Sequence, residues 1–252
     1  MTQLLQHQIA IVTGGNRGIG LAMVRQFVEQ GARVITCALE NDFSSLADLK
    51  DNISFIQLDM ASPDSGQSLI AHAISKFGPP TIIVNNAAQV TFRNTADATV
   101  EEIEQTLRVN VIGYWSLAKA ALPSMKSAGR GAIINVASTH PYQTRPNCFP
   151  YSMSKGAVLA MTRAMAVDFG PAGIRVNALL PGIVDTQVTR QWLQSQSDPE
   201  KSWADVLTSH SLPRLPTVEE LASAALFLAS DLSSGITGAE LVVDCGRQVK
   251  RP

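Results

Sequence analysis

Runs of Val, Ile and Leu recur along the chain with little polar interruption. Ile9–Val12, Val34–Thr36, Ile53–Leu58, Ile82–Val84, Ala132–Val136, Val176–Leu180 and Leu241–Val243 each fit a strand. Near-continuous hydrophobicity, rather than apolar–polar alternation, suits strands covered by helices on both faces, as in a parallel sheet. Between the runs the apolar period lengthens to that of a helix. Ile19–Gln30 follows a Gly-rich turn, and Asp64–Phe77 stops at Gly78-Pro79-Pro80. Thr99 and Glu102 have the spacing of a capping box, and helix should continue, with or without a break, to about Lys126. Tyr151–Phe169 ends before Gly170-Pro171, and Val218–Ser230 follows Pro216-Thr217.

Such alternation predicts βαβ units with right-handed crossovers. The expected fold is α/β: a Rossmann-type, doubly wound parallel sheet of seven strands in a three-layer αβα sandwich. No linker or repeat interrupts it, so residues 1–252 read as a single domain. One polar segment, Val184–Pro216, breaks the rhythm and carries Trp192 and Trp203. It is either a surface excursion of helices or a substrate lid, and the lid over residues 184–216 is the favoured expectation.

Composition narrows the class of partner. The 252 residues hold 20 Lys plus Arg against 21 Asp plus Glu, a formal net charge of −1. That balance gives no electrostatic reason to expect nucleic acid or an anionic membrane. No apolar run approaches the roughly twenty residues of a membrane helix. Met1–Gln8 is neither basic nor continuously apolar and does not read as a signal peptide. Cys37, Cys148 and Cys245 are scattered, which suits reduced thiols and a cytoplasmic location. The histidines His7, His72, His140 and His210 lack metal-motif spacing, so no metal is expected.

Thr13-Gly14-Gly15-Asn16-Arg17-Gly18-Ile19-Gly20 ends the first strand and opens the first helix. Glycines there let the backbone turn tightly and approach a pyrophosphate, which the helix N-terminus then meets with unpaired N–H groups and a positive dipole end. Further along, Tyr151 and Lys155 lie one turn apart on a predicted helix and share a face. A free phenol titrates near 10. An ammonium about 4 Å away would favour its phenolate by roughly 4 kcal/mol at an effective dielectric of 20, enough to bring the tyrosine towards working pH. Ser138, ending a neighbouring strand, would reach the same point and hold a carbonyl or alcohol oxygen.

The ordered set of Thr13–Gly20, Asn85-Asn86-Ala87-Ala88, Asn110, Ser138, Tyr151-Ser152-Met153-Ser154-Lys155, Pro181-Gly182 and Ile236-Thr237-Gly238 resembles the short-chain dehydrogenase/reductase family over almost the whole chain. The resemblance implies that Tyr151 passes a proton to or from the substrate oxygen while hydride moves to or from a nicotinamide. It implies that Lys155 holds the nicotinamide ribose and that Asn110 anchors a water in the proton relay. The cofactor contacts it implies are Gly14, Asn16, Arg17, Gly18, Ile19 and Gly20 in the turn, with Asp59 and Met60 after the third strand. Asn86 and Ala87 follow after the fourth strand, and Pro181, Gly182, Ile183 and Thr186 after the sixth. NAD-specific members usually carry an acid where Ala38 stands, and Arg17 is placed to pair with a 2′-phosphate, so NADP(H) is expected over NAD(H).

The implied activity is interconversion of a small ketone or aldehyde with its alcohol. Substrate walls are expected from Thr139, His140, Tyr142, Gln143, Asn147 and Cys148, with Val90 and Trp192. Two alternatives stand beside this. The nearest style within the family is the 3-oxoacyl-carrier-protein reductases, which grip an acidic carrier with arginines; Arg130 offers one, but Ala172 replaces another. A non-catalytic, cofactor-binding sensor or scaffold is the third reading. The family also implies a homo-oligomer, dimer or tetramer, and Val109, Ile112, Trp115, Leu159 and Met165 either form its face or pack inside the subunit.

Overall fold

The computed structural model describes residues 3–250, so Met1 and Thr2 of the N-terminal segment read above lie outside the described residues. Seven parallel strands form the sheet: β1 (Ile9–Thr13), β2 (Arg33–Ala38), β3 (Ile53–Gln57), β4 (Ile82–Asn85), β6 (Gly131–Val136), β8 (Ile174–Pro181) and β9 (Glu240–Val243). Their spatial order is β3-β2-β1-β4-β6-β8-β9. The chain leaves β1 towards β2 and β3, then returns to the other side of β1 to lay down β4. That reversal opens a crevice at the C-terminal strand ends, where doubly wound sheets bind ligands.

Both faces of the sheet are buried, for the reason the hydrophobic runs implied. Ala10, Val12, Val34, Val84 and Ile134 face α1 (Gly18–Glu29) and α8 (Val218–Ala229), among Met23, Phe27, Leu221 and Leu226. The alternate residues Ile11, Ile35, Ile83 and Ile133 face the other way. They meet Leu69 of α2 (Ser65–Lys76), Leu117 and Ala121 of α4 (Tyr114–Ala128) and Met165 of α5 (Tyr151–Phe169). Each fully buried aliphatic side chain contributes about 1.5–3 kcal/mol through removal from water. Close approach matters as well: a Cβ on Gly66 of α2 would stand 2.5 Å from the Ser116 carbonyl oxygen of α4.

Three details fill in what the sequence left open. The long helix breaks into α3 (Val100–Leu107), a π-turn over Arg108–Gly113, and α4; the Thr99–Glu102 capping box at its start is present. Two-residue strands β5 (Phe92–Arg93) and β7 (Phe149–Pro150) pair antiparallel, too short to leave a period in the sequence. The segment 184–216 contains α6 (Gln187–Gln194) and α7 (Pro199–Thr208), with the side chains of Thr186 and Asp198 as their N-caps.

Candidate active site

The glycine turn sits at the reversal point between β1 and β4. Gly14 and Gly18 have φ of +68° and +55°, a region unfavourable to other residues. A Cβ on Gly20 would lie 2.1 Å from the Gly14 carbonyl oxygen, so only glycine lets the turn close on its helix. The Asn86 Nδ2 amide donates to the carbonyls of Thr13 (2.9 Å) and Gly14 (3.2 Å), and the Asn86 and Ala87 N–H groups donate to the Thr13 hydroxyl. Asn16 ties the turn outward through its Nδ2, which donates to the Asp42 carbonyl.

Helix α1 begins at Arg17 with no side chain capping it, whereas α3, α6, α7 and α8 all carry Thr or Asp caps. The first-turn amides of α1 are therefore free to meet an anion. That uncapped end, cradled by residues a Cβ would fill, fits the pyrophosphate of a dinucleotide. Ala38 is buried at the end of β2 and Met60 is buried after β3. Asp59 is exposed, and one of its oxygens accepts from the Ala61 N–H at 2.8 Å. Arg17 is exposed and stands 3.9 Å from Glu40.

At the C-terminal ends of β4, β6 and β8 lies a cavity of about 330 Å³. Among the residues expected at the site, it is lined by Ile19, Asn86, Ser138, His140, Tyr151 and Lys155, and by Pro181, Gly182, Ile183, Thr186 and Trp192. The tyrosine and lysine project together from the first turn of α5, as their spacing required. The Ser138 side chain lines the same cavity as Tyr151, and its Oγ accepts from the His140 N–H at 3.2 Å. Lys155 is 1% exposed, and its ammonium donates to the Val136 carbonyl at 2.7 Å and the Tyr114 hydroxyl at 3.3 Å. Gly182 must be small, because a Cβ there would meet the Asp244 Cβ at 2.6 Å.

The electrostatics differ from the simple pairwise expectation. Burial pushes the Tyr151 phenol up to about 12, against the downward pull of the Ser138 side chain, with neighbouring Cys148 adding to the rise. Burial pushes the Lys155 ammonium down to about 7. The expected lowering of Tyr151 by Lys155 is not found. The lysine Nζ is 5.7 Å from the Tyr151 ring centroid, and its short bond goes to a backbone carbonyl instead. Desolvation is therefore the leading cause for both groups in this dry site.

Asn110 is fully buried in the π-turn. Its Nδ2 donates to the Gln89 carbonyl and the Ser154 hydroxyl, both at 2.9 Å, and its Oδ1 accepts from the Gln89 N–H at 2.8 Å. The side chain thus clamps the loop after β4 to α5, a positioning task that leaves one lone pair free.

The substrate side needs correction. The Tyr142 and Gln143 N–H groups both donate to the Thr139 carbonyl, a tight turn that sends His140 inward and Tyr142 outward. Tyr142 is 53% exposed and its hydroxyl bonds Glu240 on the sheet edge, so it is no wall of the cavity. Gln143 and Cys148 also fail to line it. Cys148 is buried beneath the loop with the Arg145 Nε 3.4 Å from its sulfur, so the loop closes on itself and presents Arg145 instead. Of the two tryptophans in 184–216, Trp192 reaches the cavity and Trp203 does not. Burial, followed by the positive charges of Arg145 and Arg247, holds His140 down to about 4, so the ring is neutral at pH 7.

Four residues beyond those expected matter here. Phe92, held by the β5–β7 pair, stands edge-on to the Tyr151 ring with centroids 5.7 Å apart. Tyr114 shares the Val136 carbonyl with Lys155. Arg145 and Arg247 line the cavity. Nothing in their sequence spacing signals these meetings, because each joins segments distant along the chain.

Fold and site together define a dinucleotide-binding oxidoreductase architecture. A family model described as enoyl-(acyl carrier protein) reductase matches residues 14–248. The 3-alpha-(or 20-beta)-hydroxysteroid dehydrogenase of Mycobacterium bovis is 35% identical over 248 residues, 98% of this chain and 91% of that protein. L-fucose dehydrogenase of Mus musculus is 35% identical over 246 residues, 96% of this chain and 89% of that protein. The ligand-free aldohexose dehydrogenase of Thermoplasma acidophilum superposes with a TM-score of 0.91 at 30% identity, covering 100% of this chain and 98% of that one. The chain belongs to the short-chain dehydrogenase/reductase family. It is an oxidoreductase of alcohol and carbonyl groups, in a family that uses nicotinamide cofactors.

Proposed function

We propose that this chain reduces a small ketone or aldehyde, or oxidises the matching alcohol, with Tyr151 as the acid–base group and NADP(H) preferred. The reading rests chiefly on one observation: Tyr151, Ser138 and Lys155 converge on a cavity beside the uncapped N-terminus of α1. The names of the relatives, hydroxysteroid and sugar dehydrogenases, support a hydroxyl or carbonyl substrate. When bound, the nicotinamide supplies a hydride to the carbonyl carbon, or accepts one from the alcohol carbon. Ser138 orients the substrate oxygen. Tyr151 gives that oxygen its proton in reduction and takes it back in oxidation. Lys155 has one ammonium proton beyond its bonds to Val136 and Tyr114, which is assigned to the nicotinamide ribose. Asn110 is assigned the relay water through its remaining lone pair. Segment 184–216, whose Thr186 and Trp192 reach the cavity, acts as the lid.

The test is a carbonyl and alcohol panel with NADPH and NADP+, followed at 340 nm, for wild type and Tyr151→Phe. The variant should lose about 10²–10⁴ in rate, the usual size of acid–base catalysis, while still binding cofactor. Retention of more than about a tenth of the rate would remove Tyr151 from this role. A protein-borne acyl substrate has weaker support. Arg130 precedes β6, at the N-terminal edge of the sheet and thus opposite the site.

For the cofactor, Ala38 leaves no carboxylate at the end of β2. The 3.9 Å separation of Arg17 from Glu40 is longer than the ~2.7–2.9 Å of a tight charge-assisted bond, so the guanidinium can turn to a 2′-phosphate. The same Glu40 favours a second reading, NAD(H), if it accepts from ribose hydroxyls instead. Fluorescence titration separates the two. NADPH should bind at least about tenfold tighter than NADH, ~1.4 kcal/mol, and Glu40→Gln should widen the gap. Equal affinities, or a preference for NADH, point to the second reading.

A further inference from the structure

The cavity that holds Tyr151 also holds two arginines that the catalytic scheme does not use. Arg145 comes from the loop between β6 and β7, and Arg247 from the turn after β9. Among the described residues neither forms an ion pair with a carboxylate, in contrast to Arg93, Arg163, Arg190 and Arg214. No Asp or Glu lines the cavity at all. The nearby Asp244 spends its two oxygens on the N–H groups of Gly246 (2.8 Å) and Gln248 (2.6 Å).

Arg145 is held in place without being neutralised. Its guanidinium carbon lies 4.5 Å from the Trp192 ring centroid and 5.5 Å from that of Phe92, an aromatic mount that fixes the plane of the fork. Arg247 is half-buried, and its Nε is buried with no hydrogen-bond partner. An unsatisfied, desolvated guanidinium is costly unless an anion completes it. Guanidinium forks match carboxylates through paired N–H donors.

Resting on the carbonyl–alcohol reading above, we propose that Arg145 and Arg247 bind a carboxylate of the substrate, so that the enzyme acts on compact hydroxy acids or oxo acids. Burial and the repulsion of Arg145 lower Arg247 while the Asp244 charge acts to raise it, and burial together with the charge of both arginines keeps His140 neutral, so the arginines' positive charge is felt across the cavity. His140, neutral and beside Tyr151 at 5.7 Å between ring centroids, is then free to bond an uncharged part of the same molecule. Val90, Phe92 and Val188 supply apolar walls, and a volume of about 330 Å³ restricts the space to a small skeleton.

Calorimetry on the NADP+-loaded enzyme tests this with lactate, 3-hydroxybutyrate and gluconate, each beside its carboxamide. At least one acid should bind about tenfold or more tighter than its amide. Arg145→Gln and Arg247→Gln should each remove that margin while changing NADP+ affinity by less than about threefold. Three results overturn the proposal: no acid binds better than its amide, the preference survives in both variants, or the variants lose NADP+ as much as they lose acid. The last would hand the arginines to the cofactor. Turnover by Tyr151→Phe is read separately, so failure of the acid–base assignment and failure of the carboxylate site give different results.

Discussion

A lysine that is 1% exposed and faces only a carbonyl and a hydroxyl is an expensive residue to keep. Its ordinary value is 10.5, and burial lowers it to about 7. A base lowered on folding destabilises the folded state fully below the folded value. That cost fades as pH rises towards the unfolded value. Lys155→Met should therefore raise the melting temperature at pH 6, with a gain that shrinks as pH rises through 7 to 9, as scanning fluorimetry would record. Each kcal/mol relieved corresponds to about 2–4 °C in a chain of this size. The same variant should lose at least about 10²-fold in kcat. A gain in stability joined to a loss of rate marks a residue retained for chemistry, whereas a pH-independent stability change would contradict the desolvation account.

Helix ends carry the comparable contrast among elements. Thr217 and Glu220 close a reciprocal capping box on α8, and Arg214 adds an ion pair to Glu220 at 2.6 Å. Helix α1 has no such closure at Arg17, although its backbone there is extended, with φ −154° and ψ 165°, as a cap requires. Capping side chains contribute about 1 kcal/mol. Thr217→Ala should lower the melting temperature by about 2–4 °C. Arg17→Asp should raise it by a similar amount and, on the proposed cofactor reading, weaken dinucleotide binding, because the new carboxylate takes the first-turn amides and the guanidinium is lost. Thermal melts with and without NADPH measure both effects. Stabilisation without loss of binding would separate the glycine turn from the pyrophosphate.

On the scale of the whole molecule, one exposed apolar surface remains distinct from the site. Leu159 and Met165, considered for a subunit interface, are buried in this chain's own core. Ile112 and Trp115 are about half-exposed, and Lys119 lies over the Trp115 ring at 4.8 Å. These exposed residues, at the junction of the π-turn and α4, are the part of the expected oligomer face that survives. We predict that light scattering gives at least a dimer mass and that Trp115→Glu lowers it; a monomeric wild type removes the assignment. No helix among the described residues is long and apolar enough to cross a membrane.

Much of this was legible along the chain. The hydrophobic runs located all seven strands, because a sheet covered on both faces demands continuous apolar stretches whatever the connections. The glycine turn and the Tyr151–Lys155 pair were visible because their chemistry depends on short spacing on one element. Boundaries were less exact: β8 runs from Ile174 to Pro181, longer than Val176–Leu180, since pairing with β6 recruits Ile174 and Arg175 and pairing with β9 recruits Pro181. The substrate walls were the poorest reading. Tyr142 turns away and Arg145 turns in on a single loop, where short-range bonds to Thr139 and Cys148 combine with a bond to Glu240 nearly a hundred residues on.

The sequence by itself determined the layered α/β architecture, the position of the glycine turn and the placing of Tyr151 and Lys155 on one helix face. Each follows from backbone geometry and periodicity within a few residues. Only the tertiary structure decided the charge state of that pair and the character of the substrate end. Desolvation depends on what the whole fold stacks around a group. The meeting of Arg145, Arg247 and Trp192 in one cavity depends on bringing together the loop before β7, helix α6 and the turn after β9, which the sequence keeps far apart.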